Sequence, residues 1–345
     1  MSRGCDWNCS FCTERRDQSG GERRRDLHSV EMELKELMLR HEDLRIQFID
    51  DNLLPQIGVL DAADRVGHAT ALSWADGFLS MLLEIKRDRE EKFGWRGIFR
   101  VEDFFAYERD LPNFLDNLQA SGCRMLAFGI EHGNDVKRRK MKAGPSASNA
   151  KFQELFARLR SIGIHSKAYF ILGGQKETTE TAEETIRFAI DSGVSLAYFA
   201  LYKEFVPALR TLQRAQIDGS NIHSSYSHYD QLKINWDTIM DTADGNVDDH
   251  ALSAFIGRID PNRDQIDPKA LLTCYDQLAQ IGFRFADLVK YSDHHSTESP
   301  ASSILNKVNF SNQDAYEAKV AAAYVRFYMR PEFIATYRSL LASGY

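Results

Sequence analysis

The residues best suited to chemistry are three cysteines near the start of the chain. Cys5, Cys9 and Cys12 form a C-x3-C-x2-C pattern in one short loop. Three thiolates at this spacing can converge on one metal ion or one iron–sulfur cluster. A mononuclear zinc or iron site would usually need a fourth protein ligand, and no cysteine or histidine follows at zinc-finger spacing. A cubane cluster held by only three cysteines leaves one iron open to a small chelating molecule.

The loop resembles the cluster loop of the radical S-adenosylmethionine (SAM) superfamily. Arg3-Gly4-Cys5 and Cys9-Ser10-Phe11-Cys12 are similar to the RGC…CSFC form found in the branch that often carries a cobalamin domain. The resemblance implies a 4Fe–4S cluster on the three cysteines, whose open iron is chelated by the amino and carboxylate groups of SAM. It also implies reductive cleavage of SAM to methionine and a 5′-deoxyadenosyl radical. An external donor such as flavodoxin or ferredoxin would supply the electron.

Two carboxylates follow the first predicted strand, residues 44–49. Asp50 and Asp51 would lie at the carboxyl end of a parallel strand, which is the active face of a β/α barrel. The sequence FIDDN resembles the second-strand motif of the cobalamin-associated branch, which faces the amino group of SAM. A carboxylate suits an ammonium ligand by charge, and the alternative is an aspartate that caps the next helix.

A third motif ends the predicted strand at residues 124–133. FGIEHG resembles the family pattern G-I/V-E-S-G, in which the glutamate takes the ribose hydroxyls of SAM; Glu131 is the matching residue. His132 replaces the usual serine and is either a substituted contact or a polar residue at a helix start. Met141-Lys142-Ala143-Gly144 resembles the later M-x-K-G motif of the family, and Lys142 is predicted to contact the SAM carboxylate.

Two other strand ends complete the predicted site. Arg100, on a strand predicted at 97–102, would meet a carboxylate bidentately or form an ion pair with Glu102 or Asp103. Gly173 and Gly174 follow the strand at 164–172, where relatives read F-I-L-G-L-P-G-E-T, and their backbone would pass close to the adenine ring.

The strand at 164–172 also carries two residues that alternate with its buried positions. Lys167 and Tyr169 would point into the barrel, which makes Lys167 either a substrate-binding group or a lysine that extends its amine to the edge.

The order of strands and helices predicts an α/β fold, a partial parallel (β/α)6 barrel of radical SAM type with a helical C-terminal extension. We expect the core barrel at residues 1–210 and a mixed or helical extension over the substrate side at 211–345. The pattern needs a first strand immediately before Cys5, so we expect the sequence to begin late. A cobalamin-binding domain often stands upstream in this branch. The chain has no D-x-H-x-x-G loop, and we predict no cobalamin binding for it.

The composition of the chain favours some classes of binding partner and cellular compartment over others. A formal net charge of −7 disfavours general polyanion binding, so we expect a small-molecule or peptide substrate and no nucleic acid. Five cysteines with three in one loop do not form a disulfide framework, which favours a reducing, cytoplasmic compartment. No apolar run reaches the roughly 18 residues of a membrane span.

These observations predict a radical SAM enzyme that abstracts hydrogen from its substrate. One alternative is an inactive or truncated homologue that binds a cluster without catalysis. The other is a zinc-binding interaction protein, for which the carboxylate motifs would have no purpose.

Overall fold

The computed structural model describes residues 1–12, 20–142, 144, 146–174, 177–202, 249–283 and 313–344. The chain divides into two compact units, of which the first comprises residues 1–170 and 191–197 and the second residues 171–190 and 198–344. The boundary predicted near residue 210 falls outside the described residues and stays a prediction.

Five parallel strands form one curled, half-barrel sheet in the order β3-β4-β5-β6-β7, which confirms the predicted fold class. A separate antiparallel ribbon of two short strands, β1 and β2, frames the cysteine loop. The strands are β1 (Ser2–Arg3), β2 (Arg23–Arg24), β3 (Leu44–Gln47), β4 (Phe93–Phe99), β5 (Cys123–Glu131), β6 (His165–Leu172) and β7 (Leu196–Leu201).

Helices follow the strands as a parallel sheet requires. They are α1 (Leu27–Arg40), α2 (Arg65–Arg89), α3 (Val101–Asp110), α4 (Phe114–Ala120), α5 (Asp135–Met141), α6 (Asn149–Ser161), α7 (Thr179–Asp191), α8 (Asp249–Ile259), α9 (Pro268–Ala279), α10 (Gln313–Tyr328) and α11 (Pro331–Ala342). Short 3₁₀ turns occupy Ile57–Val59 and Glu90–Lys92. No helix in the described ranges is long and apolar enough to cross a membrane.

One face of the sheet packs against the helices of the first unit. Phe128 of β5 lies edge-on to Phe104 of α3, with ring centroids 5.6 Å apart, and 6.1 Å from Phe156 of α6. On β6 the buried residues alternate with partly exposed ones, and Lys167 and Tyr169 belong to the partly exposed set. Since side chains alternate across a strand, these two residues lie on the inner face, opposite the helices, as predicted.

The predicted boundary of one strand was wrong because of a hydrogen bond to a residue distant in sequence. This strand was predicted at 97–102, but β4 ends at Phe99 because the Arg100 amide donates to Asn52 Oδ1 at 3.0 Å instead of to a strand. Two helix starts are also fixed locally. Asp26 caps α1, where its Oδ1 accepts the Ser29 amide at 2.8 Å, and Pro331 starts α11 and so separates it from α10.

The second unit is held in part by a partly buried ion pair between two of its helices. Arg326 of α10 donates through both terminal nitrogens to Glu183 of α7, at 2.8 and 2.9 Å. A bidentate pair of this kind fixes the angle of both side chains. The Phe199 amide at the end of β7 also donates to Tyr324 Oη at 3.1 Å, which fastens α10 to the strand.

Candidate functional site

The cysteine loop lies beside the 3₁₀ turn at Ile57–Val59. Gln56 Oε1 accepts the Asp6 amide at 2.8 Å and lies 3.3 Å from Cys5 Sγ. Cys9 is buried, whereas Cys5 and Cys12 are partly exposed. Burial raises the pKa of the Cys5 thiol to about 12, and the nearby Cys12 and Cys9 add to the increase. The three thiols are therefore close enough to interact electrostatically.

Trp7 anchors this loop inside the first unit. Its indole is buried and is enclosed by two glycines, Gly58 and Gly144. A Cβ at Gly144 would lie 2.7 Å from the ring, and one at Gly58 would lie 3.2 Å from it. Gly144 also has a φ of +74°, which L-residues adopt at a cost. The glycine of the M-x-K-G motif is thus required by the backbone and by its contact with Trp7.

Asp103 joins three loops around Trp7. It is fully buried, and its carboxylate accepts the Gly58 amide at 2.7 Å, Asn52 Nδ2 at 2.8 Å and Trp7 Nε1 at 3.2 Å. Burial raises the pKa of this carboxyl to about 6, although the hydrogen bonds oppose the increase. Sequence reasoning considered Asp103 only as a partner of Arg100. Asp103 lies on the same buried face of α3 as Phe104 and Tyr107, and this helical spacing could have indicated that Asp103 is buried.

A second contact docks the cysteine loop onto the end of α5. The Ser10 amide and hydroxyl both donate to the Met141 carbonyl, at 2.9 and 3.1 Å. Because Met141 belongs to the M-x-K-G motif, two sequence motifs 131 residues apart are in direct contact.

Arg100 connects the cysteine loop to the buried charges. Its Nη1 lies 3.1 Å from Cys9 Sγ, its Nε lies 2.9 Å from Glu102 Oε2, and its guanidinium stacks 3.8 Å from the Trp7 ring centroid. The ion pair with Glu102 was one of the two predicted alternatives. The contact with Cys9 was not predicted, and it places a permanent positive charge beside a thiol that a metal would convert to thiolate.

Lys142 completes a buried group of four charges with Arg100, Glu102 and Glu131. Its Nζ lies 3.4 Å from Glu102 Oε2 and donates to the Gly129 carbonyl at 2.8 Å. Two cations and two carboxylates therefore balance in charge. The sequence analysis named Glu102 only as a possible ion-pair partner of Arg100 at the end of a predicted strand, whereas it lies in the first turn of α3.

Glu131 occupies a strained position at the end of β5. Its φ is +70°, and the strand register shifts between Gly129 and Glu131. The bulge folds the carboxylate back over Gly129, where a Cβ would collide with Oε1. Burial raises the pKa of Glu131 to about 7, and Lys142 and Arg100 only partly offset this. Strain of this kind is often found at ligand sites.

Asp50 and Asp51 lie beside the cysteine loop in different environments. Asp50 is buried, and its Oδ1 accepts from the Ser2 hydroxyl at 2.7 Å and from the Ser2 amide. Its Oδ2 is buried without a hydrogen-bond partner among the described residues. Asp51 is exposed, and its charge contributes to the raised pKa of Cys5. Asp50 Oδ1 also lies 3.0 Å from the α-ammonium group of Met1, so a further cationic ligand of Asp50 would have to meet Oδ2.

Gly173 and Gly174 belong to the second unit and form a closed turn. Both amides donate to the Glu177 carboxylate, that of Gly174 at 3.2 Å, and the Glu177 amide donates to the Gly174 carbonyl at 3.1 Å. The glutamate of the family's G-E-T segment therefore shapes the turn.

His132 lies in the turn that starts α5. Its Nδ1 accepts the Asn134 amide at 2.9 Å, and Asn134 caps that helix. This is the position of a polar residue at a helix start, the plainer of its two interpretations.

Residues 1–189 match the Radical SAM superfamily, which is more than half of the chain. The chain belongs to the radical SAM superfamily. Its members are enzymes, and the cofactors of the family are a 4Fe–4S cluster and SAM. The predicted family and its cofactors are thus confirmed.

Relatives and solved structures agree with this assignment. The chain is 26% identical over 200 residues to an uncharacterized methyltransferase of Pyrococcus horikoshii, covering 58% of the chain and 38% of the relative. It is 28% identical over 218 residues to the anaerobic magnesium-protoporphyrin IX monomethyl ester cyclase of Cereibacter sphaeroides, covering 62% and 31%. The chain therefore spans about a third of the length of these relatives.

The fold is similar to that of OxsB, a cobalamin-dependent SAM radical enzyme solved with aqua-cobalamin and SAM bound. The TM-score is 0.50 at 14% identity, and the match covers 99% of this chain and 53% of that one.

The residues of the first unit fit the family's cofactors by chemistry. Three thiols can ligate a cluster, Arg100 lies against one of them, and Asp50 keeps a buried oxygen without a partner. Within the described part of the chain, no group of three or more His, Cys, Asp or Glu side chains is arranged to hold a metal ion, and this includes the three cysteines of the loop.

Proposed function

We propose that this chain is the catalytic core of an enzyme that cleaves SAM with a 4Fe–4S cluster on Cys5, Cys9 and Cys12. When bound, these cofactors would supply a 5′-deoxyadenosyl radical that abstracts hydrogen from the substrate. The observation that carries the proposal is Arg100, which contacts Cys9 at 3.1 Å and Glu102 at 2.9 Å. It joins the cysteine loop to the charged group that includes Glu131 and Lys142.

The chain's own residues have distinct roles in this proposal. Glu131 would accept hydrogen bonds from the ribose hydroxyls, since a carboxylate suits a vicinal diol. Asp50 or Asp51 would accept a hydrogen bond from the SAM ammonium group. Asp50 is favoured for this role because its buried Oδ2 has no hydrogen-bond partner among the described residues. The Gly173-Gly174 turn would pass beside the adenine.

The SAM carboxylate is proposed to meet Lys142 and Arg100. Glu102 already pairs with both cations, so the two carboxylates would share them.

We further propose a small-molecule or peptide substrate and an electron donor such as flavodoxin or ferredoxin. A reducing, cytoplasmic compartment suits a chain whose cysteines are all free thiols and whose cluster ligands would be lost by oxidation.

The test is anaerobic reconstitution of the full chain with iron and sulfide, followed by reduction in the presence of SAM. We expect about four irons per chain and 5′-deoxyadenosine in the chromatogram. Cys9→Ala should lose both. Cys274→Ala is the matched control, because Cys274 is also a buried free thiol but lies on α9 in the second unit.

Each other outcome selects an alternative. A brown protein that yields no 5′-deoxyadenosine would support a cluster-binding homologue without catalysis. A colourless protein with about one zinc per chain would support the zinc-binding protein. Equal iron in Cys9→Ala and Cys274→Ala would remove the cysteine loop from the proposal.

A further inference from the structure

The inner face of the sheet carries positive charges below the proposed SAM site. The strand register places Lys167 of β6 beside Ala127 of β5, which is itself beside Ile98 of β4. Tyr169 is level with Gly129, the residue that lies under the Glu131 carboxylate. Lys167 is two residues deeper than Tyr169, or about 7 Å along the strand.

Lys167 is largely enclosed, and the described residues around it do not neutralise its charge. Its Nζ lies 5.0 Å from the centroid of the Tyr169 ring, and no carboxylate of the described residues forms an ion pair with it. Burial lowers the pKa of Lys167 to about 8, and the positive charge of Arg96 adds to this. A dehydrated ammonium group is costly to the fold, since one aromatic contact replaces little of its hydration.

Arg96 lies one pleat deeper on β4 and extends the positive region. Its Nη2 donates to the amide oxygen of Gln47, which carries no charge. A Cβ at Gly94, deeper again, would lie 3.1 Å from Arg124 Cγ and 3.6 Å from Arg45 Cδ. Positive side chains therefore follow one another along the inner face towards the amino ends of the strands.

Ala127 and Gly129 are small residues at consecutive inner-face positions of β5, between β4 and β6. At these two positions, no large side chain of β5 stands between Lys167 and the Glu131 end of the strand.

We propose that Lys167 and Arg96 bind an anionic group of the substrate, a carboxylate or a phosphate, and so orient the substrate beneath SAM. This inference rests on the proposed function, because it takes Glu131 as the ribose contact. The anionic group would lie at the level of Lys167, and the carbon that loses hydrogen would lie above it, nearer Glu131. An anion there restores the electrostatic partner that Lys167 lacks, and the Arg96 guanidinium can donate two parallel hydrogen bonds to it.

The experiment measures anion binding to the full chain without SAM or reductant. Thermal unfolding is followed in sodium phosphate, sodium malonate and sodium chloride at equal ionic strength. Because such anions stabilise folded proteins in general, we expect phosphate or malonate to raise the unfolding midpoint above that in chloride by more in the wild type than in Lys167→Met. The anion with the larger difference between the two proteins identifies the anionic group. Lys167→Met and Arg96→Met should each weaken the apparent affinity about 10-fold, as expected for the loss of one charge-assisted contact.

Two variants keep the test decisive. Lys167→Arg retains the charge and should retain anion binding, whereas Lys269→Met, which removes an exposed lysine on α9, should behave as the wild type. Equal midpoints in all three salts would overturn the proposal, as would unchanged anion affinity in Lys167→Met. If the chain cleaves SAM but binds no anion, the proposed function stands and the anion site is wrong. If the chain binds an anion but does not cleave SAM, the anion site stands and the proposed function is wrong.

Discussion

Arg100 and Cys9 are in direct contact, with Nη1 3.1 Å from Sγ, although 91 positions separate them in the sequence. The same guanidinium stacks on Trp7 and pairs with Glu102, so one side chain holds the loop, the helix start and the thiol together. The cysteine loop is thus supported by buried charge as well as by its own backbone.

Arg100→Met should destabilise the chain by about 3 kcal/mol, because breaking a buried ion pair leaves Glu102 under-compensated. Arg100→Lys should recover only part of this, since an ammonium group cannot reproduce the planar contacts with both Cys9 and Glu102. Urea unfolding of the SAM-free chain measures both. Arg40→Met removes an exposed helical pair with Glu36 and should cost under about 0.5 kcal/mol. A cost for Arg100→Met no larger than that of Arg40→Met would contradict the prediction.

Asp103→Asn should detach the cysteine loop from the sheet. The amide would offer one oxygen to three donors and would point its own N–H groups at them, so we expect a loss of about 3 kcal/mol in the free energy of unfolding and a lower iron content after reconstitution.

The pH dependence of stability gives a second measurement of the role of Asp103. Because the pKa of Asp103 is raised to about 6, the folded chain binds more protons than the unfolded chain between about pH 4 and 6. Its contribution to stability therefore falls as pH rises through this range, and Asp103→Asn should lack that component. A variant with wild-type stability and the full slope would show that Asp103 has no positioning role.

Gly144→Ala should disturb the cysteine loop through Trp7, and Gly163→Ala provides a matched comparison. Both glycines have a positive φ, of +74° and +76°, but a Cβ would meet the Trp7 ring at 2.7 Å in the first and nothing within 4 Å in the second. Backbone strain should cost each variant about 1–2 kcal/mol. Gly144→Ala should lose additional stability and also iron, whereas Gly163→Ala should keep its iron. Equal iron in the two variants would show that the contact with Trp7 does not support the cluster loop.

Local patterns were sufficient to predict the parallel strands β3, β5 and β6, although not the short ribbon of β1 and β2. Glu131 and Lys142 were predicted as site residues because each belongs to a motif with close sequence neighbours. The boundary of β4 failed because the Arg100 amide is bonded by Asn52, 48 positions earlier, which no local pattern contains.

The residues that sequence reasoning missed act through distant contacts. Trp7 and Asp103 are 96 positions apart, and Gln56 is 51 positions from Cys5. Glu102 was considered only as an ion-pair partner of Arg100, and the fold was needed to place Lys142 beside it as well. Lys167 differs, because alternation along β6 was enough to place it on the inner face. The register with β5 was needed to show how deep it lies.

Glu131→Gln should separate the stability of the chain from its affinity for SAM. The pKa of Glu131 is raised from 4.5 to about 7 by burial, so between these pH values the folded chain holds a proton that the unfolded chain has released. Stability should therefore fall as pH rises from about 4.5 to 7, by at most about 3 kcal/mol at 1.36 kcal/mol per pH unit. Glu131→Gln should remove this component in urea unfolding measured at pH 5 and pH 8. Glu154→Gln, at an exposed carboxylate on α6, should keep the wild-type slope.

The same variant should bind SAM about 10-fold more weakly, because an amide accepts less strongly from the ribose hydroxyls than a carboxylate does. Equilibrium dialysis of the reconstituted chain measures this without turnover. Unchanged SAM affinity together with a flattened pH slope would mean that the buried charge at Glu131 is structural. If Glu131→Gln kept both its SAM affinity and the wild-type pH dependence of stability, neither the cost of burying Glu131 nor its contact with the ribose would be supported. The Glu131 carboxylate is strained, and its burial is only partly compensated. If it stabilises bound SAM and destabilises the SAM-free chain, Glu131→Gln should both flatten the pH slope and weaken SAM binding.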